Sequence, residues 1–157
     1  MKYQLPLLVV SDLERSKAFY KEHLDQDVIV DFGANVTLSG GFALQTLETW
    51  SEFIGGAEIS FKGNDAELYF EEDDFDGFLC RLDGLELVHQ PLEHSWGQRV
   101  VRFYDPDGHI IEVGENLTAV ARRFADAGMS EAEVAGRMGV SVEYLQNLLD
   151  KERESVT

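Results

Sequence analysis

The chain is poor in cysteine, in basic residues and in long apolar runs, and each shortage excludes something. A single cysteine, Cys80, rules out an internal disulfide. It stands at an apolar position in DDFDGFLCRL, which predicts a buried, inert thiol. No apolar run reaches the roughly 18 residues a membrane-spanning helix needs, so no span is expected. The N-terminal MKYQLPLLVVSDLERS has only a short apolar stretch with an acidic flank behind it. That reads as a buried strand and not as a signal peptide, and a cytoplasmic location is expected. Only 13 Lys and Arg face 30 Asp and Glu, for a net charge of −17. The first 115 residues carry eight basic against 23 acidic residues, and the remainder five against seven. Such a surface repels a phosphate backbone, so nucleic acid is not an expected partner of the main domain. Cationic ligands stay open, beside the plain reading that the charge serves solubility.

What is present is enough for one domain: 157 residues, 44% of them hydrophobic. The chain also contains a weak internal duplication. LPLLVVSD, residues 5–12, is an apolar strand running into Asp12. LERSKAFYKEHL follows, with Leu13, Ser16, Phe19, Tyr20 and Leu24 at helical spacing. ELYFEEDD, residues 67–74, is again a strand running into Asp74, and FDGFLCRL follows with Phe75, Phe78, Leu79 and Leu82 on one face. Asp12 or Ser11 in the first half and Asp74 in the second are natural N-caps. Three short β-like runs follow each helix, at about 28–32, 35–39 and 42–48, then at about 85–88, 98–104 and 109–114. The last run in each half leaves a glycine turn, GG in the first and DPDG in the second. The same order twice, with both caps and both turns, favours a true βαβββ repeat.

A repeat selects special positions, because a pseudo-two-fold axis brings equivalent residues together. Seven residues before each cap stand Leu5 and Glu67, and four after each turn glycine stand Gln45 and Glu112.

SDLERSKAFY in the opening and SWGQRVVRFYDPDGHIIEVGE in the closing hairpin resemble the vicinal oxygen chelate superfamily, which includes glyoxalases, bleomycin-resistance proteins and extradiol dioxygenases. The resemblance covers about residues 3–115. It implies an α+β fold in which two βαβββ modules, about 3–49 and 57–115, form a curved, mostly antiparallel sheet around a cleft. Residues 1–115 make that domain, and 116–157 a helical extension. In the metal enzymes of the superfamily the four selected places carry His, Gln or Glu ligands of one divalent metal. Here they hold Leu5, Gln45, Glu67 and Glu112. Leucine cannot ligate, and none of the four is histidine, so no metal cofactor is expected. If a divalent metal is bound, Gln45, Glu67 and Glu112 are the ligands, and a hard oxygen-loving cation fits them best. Of the four histidines, His23 lies in a helix, His109 falls outside the strand parity of Glu112, and His89 and His94 lie in loop-like sequence.

Strand alternation puts Tyr69 and Glu71 on the face of Glu67, and Ile110 and Gly114 on that of Glu112. The resemblance adds Val100, Arg102 and Tyr104 from the preceding strand, with Trp96 at a rim. The expected ligand-binding set is Gln45, Glu67, Tyr69, Trp96, Arg102, Tyr104 and Glu112, beside apolar Leu7 and Val100. Arg102 either neutralises Glu67 and Glu112 in an internal ion pair or fixes a polar ligand among the aromatics. No catalytic residue is assigned.

Residues 116–157 read as three short helices, with Gly128 and Gly139 as stops, Ser130 and Ser141 as N-caps, and Glu133 completing a capping box. AGRMGVSVEYL resembles a helix-turn-helix. Its last helix offers Glu143 and Asp150, with basic residues only at Lys151 and Arg153, so DNA is not an expected partner. A helical lid or dimer-packing element would bury Val134, Met138, Leu145 and Leu148.

Three functional readings follow. The first is a small-molecule-binding protein of the glyoxalase and bleomycin-resistance type lacking a complete metal site. The second is a divalent-metal-dependent lyase or isomerase, and the third a ligand-sensing regulator with a helix-turn-helix-like tail. A small-molecule ligand and a homodimer are the expected partners.

Overall fold

The computed structural model describes residues 1–155, with side chains through residue 150. The first βαβββ module consists of β1 (Leu7–Val10), α1 (Leu13–Leu24), β2 (Val28–Asp31), β3 (Asn35–Leu38) and β4 (Ala43–Thr46), followed by α2 (Leu47–Phe53). Its sheet has the order β1-β4-β3-β2. β1 runs parallel to β4, and β3 runs antiparallel to both β4 and β2. Helix α1 forms where the apolar spacing and the cap agree. The Asp12 carboxylate accepts the Arg15 N–H at 3.0 Å, and Ser16 and Tyr20 turn fully inward. Asp25 ends the helix in the left-handed region at φ 52°, its N–H returning to the Tyr20 carbonyl.

The turn 104–110 packs with this first unit. Asp105 accepts the Tyr20 hydroxyl, the His109 ring and the backbone N–H groups of Asp107 and His109. Asp107 accepts Ser11 N–H at 3.1 Å and the Arg15 guanidinium at 3.3 Å. Gly108 adopts φ +88°, which the turn requires of it.

The second module consists of β5 (Glu67–Glu72), α3 (Phe75–Leu79), β6 (Leu87–Glu93), β7 (Arg99–Tyr104) and β8 (Ile110–Glu115), in the matching order β5-β8-β7-β6. Asp74 caps α3 by accepting the Gly77 N–H at 3.0 Å, as Asp12 caps α1. The same unit carries the tail: α4 (Leu117–Asp126), α5 (Glu131–Met138) and α6 (Val142–Ser155). These three helices bury Val120, Ala121, Val134, Ala135, Met138 and Leu145 against one another, so the tail's apolar residues find their surface within the tail. Ser130 and Glu133 form the capping box, Gly139 closes α5 at φ 70°, and Ser141 accepts the Tyr144 N–H. The side chains of Lys151 and Arg153 lie outside the described residues. Among the described residues no helix is long and apolar enough to cross a membrane.

Four local expectations are corrected. The strand expected over 42–48 stops at Thr46, and residues 47–53 turn into α2. The Thr46 and Thr49 hydroxyls meet there at 2.7 Å, and Glu48 in the first turn suits a helix N-terminus. Helix α3 ends at Leu79 instead of reaching Leu82, consistent with Gly77 in its middle. Cys80 therefore falls at the helix end and is exposed, not buried. The strand expected over 85–88 runs from Leu87 to Glu93. It is the edge strand, where Pro91 is tolerated, and it takes His89 out of the expected loop.

Candidate ligand-binding face

Strand alternation decides which side chains leave the core. On β5, Leu68, Phe70 and Glu72 are half-buried while Glu67, Tyr69 and Glu71 are exposed. On β7, the Phe103 ring centroid lies 6.2 Å from that of Phe78 in α3. Val101 shares that helix-covered face, and Val100, Arg102 and Tyr104 take the other. The register between β6 and β7 adds His89 beside Arg102 and Leu92 beside Val100.

Arg102 is the centre of this face. Its guanidinium pairs with Glu112 of β8, a residue only 5% exposed. A second guanidinium nitrogen meets His89 Nε2 at 3.3 Å. His89 Nδ1 lies 2.8 Å from the Gln90 carbonyl. The carbonyl can only accept, so Nδ1 carries the proton and Nε2 receives from Arg102. His89 thus orients the cation that Glu112 neutralises.

Tyr69 and Trp96 meet through a residue outside the expected set, Gln98. Its side chain is buried, and its amide nitrogen donates to the Tyr69 hydroxyl at 2.8 Å and to the Glu115 carbonyl at 3.0 Å. Its amide oxygen accepts the Trp96 indole N–H at 3.2 Å. Gly114 makes room, because a Cβ there would come within 2.9 Å of the Gln98 amide and 3.1 Å of the Tyr69 ring. The Tyr69 hydroxyl donates to Glu71 at 3.0 Å. Burial, with Glu71 in support and Gln98 opposing, pushes the phenol up to about 12, so it stays protonated. Trp96 remains 39% exposed, with the His94 ring stacked on it at 4.1 Å. Burial first, then Arg102 and His89, hold the His94 ring below its ordinary pKa and so neutral.

Gln45, Glu67 and Tyr104 belong to the first unit. The buried Gln45 amide is fully engaged there. Its oxygen accepts from Asn35 at 2.9 Å, and its nitrogen donates to the Ala34 carbonyl at 3.1 Å and to the Thr49 hydroxyl. Glu67 opens β5 and is exposed, and the Tyr104 ring lies 4.9 Å from the Lys62 ammonium. Leu7 is partly exposed and Val100 fully buried. Leu5 offers no donor atom, the Gln45 oxygen already serves Asn35, and the Glu112 carboxylate already serves Arg102. That donor set does not fit a divalent metal. Among the described residues, no three His, Cys, Asp or Glu side chains cluster as metal ligands.

Gln98, His89 and His94 escaped the sequence reading. Gln98 shares the parity of Val100, Arg102 and Tyr104 within the run expected over 98–104, which is the signal that could have found it. The strand expected to end at residue 88 runs on to Glu93, so that His89 lies inside it and His94 directly after it. A cross-strand register was the signal that could have found His89.

The Glyoxalase-like domain family matches residues 3–118. A crystal structure of a protein of unknown function from Agrobacterium tumefaciens str. C58 is 39% identical, with TM-score 0.66 over 73% of this chain and 94% of that one. The lactoylglutathione lyase of Agrobacterium tumefaciens is 21% identical, with TM-score 0.57 over 74% and 94%. The genomically encoded fosfomycin resistance protein of Listeria monocytogenes is 16% identical, with TM-score 0.56 over 73% and 93%. The last two share the fold alone. No curated protein matches the chain.

Proposed function

The chain belongs to the glyoxalase-like family, and from that premise we propose that it binds a small organic molecule, without a metal, on the second sheet around Arg102. The observation that carries this reading is a half-buried guanidinium, fixed by Glu112 and His89, on the same unit as the exposed rings of Tyr69 and Trp96. A held charge sets a ligand's orientation, and aromatic surface supplies contact area at little entropic cost. A few convergent polar groups beside aromatic surface are part of the usual make-up of a ligand site.

The test separates binding from folding. Arg102→Asn with Glu112→Gln replaces the charged pair by the neutral amide pair that Asn35 and Gln45 form in the first module. A thermal-shift screen of cationic, phenolic and carboxylate compounds should give saturable hits with the natural chain and none with the double variant. A screen without hits, or hits that survive the double variant, rejects the reading. For the metal, elemental analysis after mild purification should find well under one equivalent of Zn, Ni, Fe or Mn. Stoichiometric metal lost on Glu112→Ala would overturn that part and restore a metal-dependent lyase or isomerase.

We also infer a homodimer. Its support is the edge strand β2, where Val28, Ile29 and Val30 are all exposed, with Phe32 directly beyond it. Light scattering that finds a monomer at tens of micromolar rejects it.

A further inference from the structure

We propose that the ligand is a flat aromatic carboxylate, and that it is recognised by the stacked pair His94–Trp96 on the turn between β6 and β7 together with Arg102. The proposal rests on the binding reading above and names its ligand class.

The turn is a built feature, not a loose connection. His94 N–H donates to the Gln98 carbonyl at 2.9 Å, and Gly97 N–H to the His94 carbonyl at 2.8 Å. From outside, α4 of the tail clamps it. Arg123 donates to the Gly97 carbonyl at 2.5 Å and to the Glu115 carboxylate at 2.9 Å. The Phe124 ring lies so close to Gly97 that a Cβ there would come within 2.2 Å of it. Glu93, the last residue of β6, pairs with both Arg123 and Arg137 at 3.5 Å. The family match ends at residue 118, so these three tail residues are additions to it. The result is a pre-organised aromatic surface, whose ordering cost is met before a ligand arrives.

Hydrogen-bond donors select the class. His89 and Arg102 meet on neighbouring strands, and His94 directly follows the strand that carries His89. Arg102 touches His89 directly, and both act electrostatically on His94. Among the described residues nothing hydrogen-bonds the His94 ring nitrogens, although the residue is half-buried. A neutral imidazole in that position supplies one N–H donor. The Arg102–Glu112 pair is formally neutral, so it neither repels a carboxylate nor recruits a cation. A carboxylate therefore gains the His94 N–H beside the Arg102 guanidinium, whereas an ammonium ion finds the Glu112 carboxylate already paired. The exposed indole and the imidazole stacked on it favour a flat, conjugated body over an aliphatic one.

Trp50 and Trp96 are the two tryptophans. In a Trp50→Phe background the indole N–H resonance reports Trp96 alone. Titration with 2-naphthoate should shift that resonance saturably, while 2-naphthylmethylamine of the same shape should not. His94→Phe keeps a ring on Trp96 and deletes both nitrogens. It should weaken naphthoate about tenfold, the equivalent of one charge-assisted hydrogen bond at ~1.4 kcal/mol. The inference is overturned if naphthoate leaves the indole unmoved, if the amine binds equally, or if His94→Phe changes nothing. Should other compounds still bind in an Arg102-dependent way, only the ligand class has failed. Should no compound do so, the binding reading fails with it.

Discussion

The two modules place different chemistry at one structural position. In the first, Asn35 on β3 stands beside Gln45 on β4 and donates to its amide oxygen. Sixty-seven residues later, the offset between the turn glycines 41 and 108, Arg102 and Glu112 form the corresponding pair. A neutral amide pair in one copy is an ion pair in the other. Asn35 and Gln45 close a local network with Ala34 and Thr49 that needs nothing more. Arg102 and Glu112 put two charges into a sheet, which is costly unless geometry and further hydrogen bonds repay it. A duplicated fold therefore supplies equal backbone slots, and their side chains decide that the second copy carries the charged face.

The largest test of that contrast is to break each pair. Arg102→Ala leaves Glu112 buried and unpaired, at a cost of about 3 kcal/mol. Asn35→Ala removes one neutral hydrogen bond and should cost about 1 kcal/mol. Urea unfolding of both variants measures the gap. Arg102→Asn with Glu112→Gln, copying the first module, should recover all but ~1 kcal/mol of the Arg102→Ala loss. No recovery would mean that the two slots are not equivalent.

Next comes the clamp on the second module's turn. Arg123→Ala removes the bonds to Gly97 and Glu115 while Arg99 still holds Glu115 at 2.9 Å. The expected loss is about 2 kcal/mol, and the Trp96 indole resonance should move in the ligand-free protein. A stability loss with that resonance unmoved would make α4 a mere support.

Acid probes both units at once. Asp105 in the first and Glu115 in the second are both held below their ordinary carboxylate range. Burial alone would raise each. His109 and Tyr20 outweigh it at Asp105, and Arg99 and Arg123 at Glu115. A depressed folded-state pKa adds stability that is present above the unfolded value, about 4, and is lost as pH falls through the folded one. Stability should therefore hold near neutrality and decline below about pH 4. Asp105→Asn should flatten part of that decline in thermal melts at pH 3 to 5, and an unchanged pH profile would show that Asp105 is not a source of it.

The smallest effects belong to the helix caps. Asp12→Ala should cost about 1 kcal/mol, because it caps a helix of 12 residues. Asp74→Ala should cost less, because α3 has only five. Equal losses would show that cap strength here does not depend on helix length.

The repeat was legible because its marks are local. Both cap aspartates, both turn glycines and the capping box at Ser130 work over three or four residues, and each formed where the spacing placed it. Alternation also sorted β5 correctly, since a strand's faces follow from parity alone. Local signals failed where competing ones overlapped. Thr46 to Phe53 has enough apolar residues to pass for a strand end, yet it forms α2. Cys80 sits between the apolar positions Phe78, Leu79 and Leu82, but the helix stops one residue short of it.

From the sequence alone came the doubled module and the three-helix tail, governed by short-range periodicity and chain stereochemistry, and the α+β class through the family resemblance that its motifs carry. Only tertiary structure decided that Arg102 is held by Glu112 and His89, that Gln98 joins Tyr69 to Trp96, and that α4 clamps the turn bearing His94. Those contacts depend on strand register and on packing between residues 10 to 29 positions apart. A one-residue slip in register would turn Tyr69, His89, Arg102 and Glu112 to the opposite face. No local pattern encodes that choice, and the burial of one face against the helices fixes it.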